Sequence, residues 1–301
     1  MPINTTPQSQ TPKPIRRGWW NDSYVLKHLV NAAQALNAAY PNDMLISVGQ
    51  SPAWVVYTAG LIRQATRQEA PNTKYIAFTG SFMSRRDDDN DAPRFHKDAS
   101  NCYPTQPDIN GYFNYLASQE VTPAQLCDTL QSTQSKAVFI DLICHGSGFA
   151  SFIHLLLKAY EQATPTQQAI LSQAVLFHVY QPAFLHYPKP DHYMVEGKDG
   201  HFTRIPLTVE SGANANVFPS IAGLKGESDA TEQGDRLVPC YDISRYGRKT
   251  LIHAPNDDIV AAIKSSIENA VYELVIRNAA TKNTPPDHEK RVRTAPNPLR
   301  F

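Results

Sequence analysis

The pattern of apolar and polar positions predicts short buried strands that alternate with amphipathic helices. A first helix is expected over about 23–39, because apolar residues recur there at helical spacing after the capping residue Asp22. The apolar run 45–48 predicts a strand, and the helical spacing over 53–68, with Pro52 in the first turn, predicts a second helix. The same reasoning predicts a strand over 74–79, a helix over 122–130, a strand over 137–141, a helix over 147–162, a strand over 175–179 and an amphipathic helix from 256 to 275.

Strands that alternate with helices over the first 180 residues indicate an α/β fold with an open, mostly parallel, Rossmann-like sheet flanked by helices. Two stretches break the pattern. Residues 80–112 carry charges of both signs and little periodicity, which is typical of a solvated loop that closes over a site. Residues 181–248 are rich in Pro, Gly and His and show only short β-like pieces, at 202–209 and 236–241.

The predicted organisation has five parts. Residues 1–18 and 281–301 are polar and rich in proline, and we expect them to be disordered tails. Residues 19–180 form the α/β core, residues 181–250 an irregular cap or hood, and residues 251–280 a helix that packs on the core.

Charge and cysteine content exclude several classes of function. The 301 residues hold 28 Lys plus Arg and 28 Asp plus Glu, so no basic field favours non-specific binding to nucleic acid or to an anionic membrane. The four cysteines (Cys102, Cys127, Cys144 and Cys240) show neither zinc-site spacing nor a disulfide framework. With no apolar signal segment and no long apolar run, we expect a cytoplasmic protein, although a secreted bacterial effector would have the same features.

The most informative stretch is 137–149, in which an apolar strand runs into Asp141 and a short loop leads to Gly146-Ser147-Gly148 at the start of a helix. Backbone N–H groups and the positive end of a helix can hold a phosphate, while the carboxylate takes hydroxyl groups or a metal ion. An ordinary glycine turn after a central strand is the plainer interpretation. A second strand–turn–helix unit follows Val48, and the carboxyl ends of parallel strands meet at one crevice.

Residues 137–148 resemble the ribose-5-phosphate-binding motif of the type I phosphoribosyltransferases, an apolar strand followed by two acidic residues, a short loop, and a glycine flanked by small hydroxyl residues. Asp141 falls on the second acid, Gly146 on the glycine and Ser147 on the hydroxyl position. The order of the parts is also similar. Residues 49–52 take the place of the family's pyrophosphate loop, 80–107 that of its mobile loop, and 181–248 that of its variable hood.

The resemblance implies a phosphoribosyltransferase-like fold over about 25–180, with phosphoribosyl diphosphate or a nucleotide as the phosphorylated ligand. It implies transfer of a phosphoribosyl group with release of pyrophosphate. Asp141 would hold the ribose hydroxyls, directly or through Mg²⁺. The 5′-phosphate would lie in the loop formed by Cys144, His145, Gly146, Ser147 and Gly148.

The resemblance also assigns the pyrophosphate to Gly49, Gln50 and Ser51, with Arg85 or Arg86 neutralising its charge when the loop closes. His145 is a candidate acid or base, although a loop histidine that only hydrogen-bonds to backbone is an equal alternative. An acceptor base would stack on aromatic or histidine side chains of the cap. The candidates there are Phe184, His186, Tyr187, His192 and Tyr193.

One departure from the family pattern opens an alternative function. Ile140 stands where the family has its first acid. Losing a carboxylate removes electrostatic help to the reacting sugar, so a catalytically inactive sensor or interaction module on the same fold is the second hypothesis. Two further interpretations are weaker. Ser51 in Gly49–Ala53 has the setting of a hydrolase nucleophile but lacks the strands that should precede it. Residues 146–151 mimic a dinucleotide fingerprint, but too late in the chain.

Overall fold

The computed structural model describes residues 18–49, 52–67, 72–78, 81–86, 93–97, 103–143, 145–182, 191–197, 200–212, 215, 221, 237, 240–241, 251–253 and 255–279. The two predicted tails lie outside these residues, apart from Gly18. So do part of the predicted charged loop and much of the predicted cap.

A five-stranded sheet forms the centre of the molecule, and all of its strands are parallel. Its strands are β1 (Met44–Val48), β2 (Thr73–Ile76), β5 (Ala137–Leu142), β6 (Val175–Gln181) and β9 (Thr208–Ser211). They lie side by side in the order β2-β1-β5-β6-β9. Because the chain moves outward from β1 to β2 and then returns to the other side of β1, the order changes direction between β1 and β5.

Helices cover both faces of this sheet. They are α1 (Ser23–Ala39), α2 (Ala53–Arg67), α3 (Gln106–Ser118), α4 (Pro123–Thr133), α5 (Ser147–Tyr160), α6 (Pro165–Ala174) and α7 (Asp257–Val271), which runs on into a π-helical segment, Tyr272–Arg277. One hydrophobic cluster joins α1, α2 and α7 to one face of the sheet. The other joins α3, α4, α5 and α6 to the opposite face. The chain is therefore a doubly wound α/β protein, as the sequence predicts.

A second sheet of four strands packs on α5. It contains β3 (Met83–Arg86), β4 (Arg94–Lys97), β7 (His192–Glu196) and β8 (Phe202–Pro206), in the order β3-β4-β7-β8. Strands β3 and β4 come from the predicted charged loop, and β7 and β8 from the predicted cap. They join through the parallel pair β4 and β7, in which Arg94 lies opposite Met194. A third, two-stranded sheet pairs β10 (Cys240–Tyr241) with β11 (Leu251–His253).

The structure differs from the sequence prediction at several elements. Helices α3 and α6 were not predicted, and β3 and β4 lie where a loop was expected. Strand β9 falls within the predicted cap but forms the edge of the central sheet, paired with β6.

Helix α7 buries Ile259, Ile263 and Ile267 in the cluster shared with α1 and α2. Of the helices that the structure describes, none has the length and apolar character to span a bilayer.

Candidate functional site

The candidate site lies at the carboxyl ends of β1 and β5, where the strand order of the sheet changes direction. The two strands are hydrogen-bonded neighbours, with Ser47 opposite Ile140. The helices that follow them leave on opposite faces, because α2 packs in one hydrophobic cluster and α5 in the other. The two turns therefore diverge at this edge of the sheet, and the crevice expected between them is the usual ligand position in an open α/β sheet.

Glycines make both turns because the backbone there has a left-handed conformation. Gly49 has φ +73° and Gly146 has φ +85°, values that residues other than glycine rarely adopt. The Gly49 N–H donates to the Ile76 carbonyl over 2.8 Å, which ties the first turn to β2. A β-carbon on Gly49 would lie 3.1 Å from the Phe78 carbonyl oxygen. The backbone conformation of each turn therefore requires the glycine that the sequence has at that position.

Asp141 is on the face of β5 that carries α5 and the second sheet. Its neighbour Ile140 points to the opposite face, where it is fully buried in the cluster with α1 and α2. Burial raises the pKa of the Asp141 carboxyl well above its usual range, and a hydrogen bond from the Leu142 N–H lowers it in part. Among the described residues, that N–H is the one hydrogen-bond donor to the carboxylate, 2.7 Å from Oδ1. The carboxylate can still accept hydrogen bonds from a ligand.

Helix α5 points its N-terminus at the same crevice. Gly146 is its N-cap residue and has no side chain with which to cap the first N–H groups, and no acidic residue lies in the first turn. Helix N-termini carry unsatisfied N–H groups and a partial positive charge, so they attract anions. The Ser147 carbonyl accepts a hydrogen bond from Ser151 Oγ over 2.7 Å, which fixes the first turn of the helix.

The second sheet lies directly over this helix terminus. The Arg85 guanidinium donates to the His145 carbonyl oxygen, with Nη1 3.2 Å away. A β-carbon on Gly146 would clash with the Tyr193 hydroxyl and would lie 3.0 Å from the ring of Phe95. The rings of Phe95 and Tyr193 pack together, with centroids 4.6 Å apart. Side chains from β3, β4 and β7 therefore meet at the loop that precedes α5.

Buried hydrogen bonds hold this sheet on α5. Ser151 Oγ accepts hydrogen bonds from the Phe82 and Met83 N–H groups at 3.0 and 3.1 Å. His154, which is fully buried, donates from Nδ1 to the Glu196 carbonyl over 2.7 Å, and its Nε2 lies 2.8 Å from the Tyr103 hydroxyl. Burial lowers the pKa of His154 to about 4, so the imidazole is neutral near pH 7 and accepts the Tyr103 proton.

Most of the predicted ligand-binding residues that the structure describes come together at this crevice. Gly49 lies in the turn after β1, and Asp141, His145, Gly146, Ser147 and Gly148 lie at the end of β5 and the start of α5. Gln50, Ser51 and Cys144, together with the cap residues Phe184, His186 and Tyr187, lie outside the described residues. The role predicted for each of these residues stays a prediction.

Other predicted site residues have positions that the sequence did not indicate. Arg85 contacts the loop predicted to hold the 5′-phosphate, whereas Arg86 is the next residue of β3 and is exposed. His145 is exposed, and its backbone carbonyl accepts the bond from Arg85. Tyr193 was a candidate for base stacking, but only 1% of it is exposed and its ring packs on Phe95. The proximity of Phe95 and Tyr193 to Gly146 was not predicted.

A separate apolar groove lies away from the crevice, between α5, α6 and β8. Its volume is about 420 Å³, and its wall includes Leu157, Tyr160, Val175, Phe177, Ile205 and Pro206. It borders the last turn of α5 and the beginning of β6, so it is at the other end of the helix from Gly146. Within the described ranges, no three His, Cys, Asp or Glu side chains are placed to share a metal ion.

Comparison with known proteins finds no relative. No family model, no curated protein and no solved structure matches the chain. We therefore infer the function of the chain from its fold and from the local geometry of the site.

Proposed function

We propose that this protein binds a phosphoribosyl ligand, phosphoribosyl diphosphate or a nucleotide, in the crevice between β1 and β5. The observation that carries the proposal is the pairing of two left-handed glycine turns, at Gly49 and Gly146, at the ends of neighbouring parallel strands. A carboxylate, Asp141, and an open helix N-terminus lie beside the second turn. A phosphorylated sugar needs groups of these two kinds. N–H groups bind its phosphate, and a carboxylate accepts hydrogen bonds from its hydroxyls.

The chemistry of each group at the crevice indicates which part of the ligand it would bind. The N–H groups at the start of α5 and the Ser147 hydroxyl hold the 5′-phosphate, and the turn at Gly49, Gln50 and Ser51 holds the pyrophosphate. Asp141 accepts hydrogen bonds from the ribose hydroxyls or binds Mg²⁺. A carboxyl with a raised pKa gains a partner when a metal or hydroxyl enters, which favours the charged form. Group transfer to an acceptor would make the protein a glycosyltransferase.

A second candidate function is binding without catalysis, as a sensor or regulator. The burial of Ile140 supports it, because that side chain faces the core of α1 and α2 and supplies no charge to the crevice. Within the described residues of β5, Asp141 is then the single carboxylate at the site. An oxocarbenium-like sugar would receive less electrostatic stabilisation than a pair of carboxylates provides.

A thermal-shift titration tests the binding proposal. Phosphoribosyl diphosphate with Mg²⁺ should raise the melting temperature of the wild-type protein in a concentration-dependent way, because it binds the native state alone. The variant Asp141→Asn should show little or no shift, while Asp258→Asn, in an exposed first turn of α7, should behave as wild type. The absence of any wild-type shift would overturn the proposal.

Pyrophosphate release separates the two candidate functions. Wild-type protein that binds phosphoribosyl diphosphate is incubated with purine and pyrimidine bases, amines and carboxylates, and free pyrophosphate is measured. Release that depends on one acceptor and is lost in Asp141→Asn supports the transferase. Binding with no release above the uncatalysed rate across these acceptors supports the sensor.

A further inference from the structure

We propose that Tyr193 and Arg85, two residues of the second sheet, complete the phosphate site at the N-terminus of α5 by donating hydrogen bonds to the ligand's phosphate. The inference rests on the proposed function and adds two residues from outside the central sheet to it. It also gives Arg85 a role at the 5′-phosphate rather than at the pyrophosphate.

The Tyr193 hydroxyl is the first observation. Only 1% of the residue is exposed, and the hydroxyl oxygen is the atom nearest to where a β-carbon on Gly146 would be. It therefore points at the N-cap of a helix of 14 residues. Among the described residues, no hydrogen-bond partner for this hydroxyl is present. The hydroxyl can therefore donate a hydrogen bond to a ligand that reaches this point.

The charges around this hydroxyl are the second observation. Burial raises the pKa of Tyr193, the positive charge of Arg85 lowers it, and the negative charge of Asp141 raises it. Arg85 and Asp141 are therefore both close enough to act on the tyrosine oxygen. The Arg85 guanidinium is held at this place by its bond to the His145 carbonyl. An uncapped helix N-terminus, a cation and a hydroxyl donor thus all lie next to the backbone at residues 145–146.

Rigid attachment of the second sheet is the third observation. Ser151 binds the N–H groups of Phe82 and Met83 just before Arg85, and His154 binds the Glu196 carbonyl near Tyr193. Buried contacts to α5 therefore position Arg85 and Tyr193, and the N–H groups of the same helix would face the anion. A site held in this way loses little conformational entropy when the anion binds.

The ligand chemistry follows from these groups. All three donors favour an oxyanion: backbone N–H groups, a guanidinium and a phenol O–H. Asp141, whose charge also acts on Tyr193, repels an anion and instead accepts hydrogen bonds from hydroxyl groups. The arrangement therefore favours a phosphate monoester whose carbon carries neighbouring hydroxyl groups, as ribose 5-phosphate does.

Isothermal titration calorimetry of ribose 5-phosphate at low ionic strength tests the inference, with four variants beside the wild type. Tyr193→Phe and Arg85→Gln remove the proposed donors. Tyr103→Phe removes a hydroxyl from another contact with α5. Arg204→Gln removes an exposed charge from β8 of the same sheet. Each variant's melting temperature is measured without ligand, so that folding and binding are separated.

The expected result is a Kd about ten- to hundredfold higher for Tyr193→Phe and for Arg85→Gln, since each loses a hydrogen bond to a charged group. The melting temperature of ligand-free Tyr193→Phe should be close to that of the wild type, because no hydrogen bond to this hydroxyl is present among the described residues. Tyr103→Phe should melt lower but retain the wild-type Kd, and Arg204→Gln should match the wild type in both.

Two results would overturn the inference and can be told apart. If the wild type binds ribose 5-phosphate and Tyr193→Phe binds it equally well, the tyrosine does not contact the ligand and the proposed function stands alone. If the wild type binds neither ribose 5-phosphate nor phosphoribosyl diphosphate, the proposed function falls together with the inference.

Discussion

The hydroxyl of Tyr193 occupies the space that a β-carbon on Gly146 would need. This contact joins β7 of the second sheet to the loop between β5 and α5 of the central sheet. A glycine is required at this position for two reasons, its left-handed φ of +85° and the close approach of the tyrosine. The loop before α5 and the second sheet that packs on it are therefore complementary in shape at this point.

The variant Gly146→Ala should be strongly destabilised. A left-handed conformation costs a residue with a β-carbon about 1–2 kcal/mol, and forcing a methyl group into a packed contact adds about 1–3 kcal/mol. We expect a loss of about 2–5 kcal/mol in the free energy of unfolding. Urea denaturation at pH 7 measures it.

Gly200→Ala is the matched control. Gly200 has φ +78°, but a β-carbon there meets no atom within 4 Å. It should therefore lose only the conformational part, about 1–2 kcal/mol. Equal losses at Gly146 and Gly200 would mean that the contact with Tyr193 and Phe95 is not present in solution.

The buried imidazole of His154 predicts a loss of stability in mild acid. Its pKa falls from 6.5 to about 4 on folding because of burial. Between those values the unfolded chain binds more protons than the native state, so stability falls as the pH falls. The contribution is fully present above pH 6.5 and amounts to about 3 kcal/mol at most.

The variant His154→Gln isolates this contribution. Urea denaturation of both proteins from pH 7 to pH 4 gives two curves of stability against pH, and their difference removes the contributions of all other groups. The wild-type curve should fall more steeply than the variant's over this range. Parallel curves would show that His154 is accessible to protons in the native state.

Asp141 should reduce the stability of the ligand-free protein. Because its folded pKa is raised, the native state binds more protons than the unfolded chain above the usual carboxyl range. Its contribution to stability is thus present in acid and is lost as the pH rises through the folded pKa. Asp141→Asn removes the buried charge and should stabilise the ligand-free protein at pH 7 by on the order of 1 kcal/mol.

Thermal melting without ligand measures this effect, with Asp258→Asn again as the exposed control. A buried carboxylate that lowers the stability of the ligand-free protein is typical of a group that binds a ligand. A lower melting temperature for Asp141→Asn would instead make Asp141 a structural residue.

Local sequence patterns predicted most of the central sheet but not the second one. The predicted bounds of β1, α2, β5, α5 and β6 agree with the structure to within two residues, because these elements show regular periodicity or apolar runs. Strand β2 was predicted to run to residue 79 but ends at Ile76. The second sheet depends on the pairing of β4 with β7, residues that are about a hundred positions apart. Strands of four or five residues give no local signal of such a partner.

The two helices that were not predicted have a helix-start signal in the sequence. Helices α3 and α6 each begin with a capping box, Thr105 with Asp108 and Thr164 with Gln167, and a proline in the first turn. The same arrangement at Thr122 and Gln125 precedes α4, which was predicted.

The site itself was predictable only in part. The glycines and Asp141 were found because a turn after a strand has a clear sequence pattern. That Ile140 and Asp141 face opposite layers follows from the alternation along a strand. The position of Tyr193 over Gly146 depends on tertiary packing and has no pattern in the sequence.

Hydrogen–deuterium exchange can locate the ligand on the chain. Hydrogen–deuterium exchange is followed by mass spectrometry with and without saturating phosphoribosyl diphosphate and Mg²⁺. We expect slower exchange at the start of α5, residues 145–150, and in peptides covering Arg85 and Tyr193, with no change across α1. Protection confined to the groove between α5, α6 and β8, or no protection at 145–150, would show that the ligand does not bind at the N-terminus of α5.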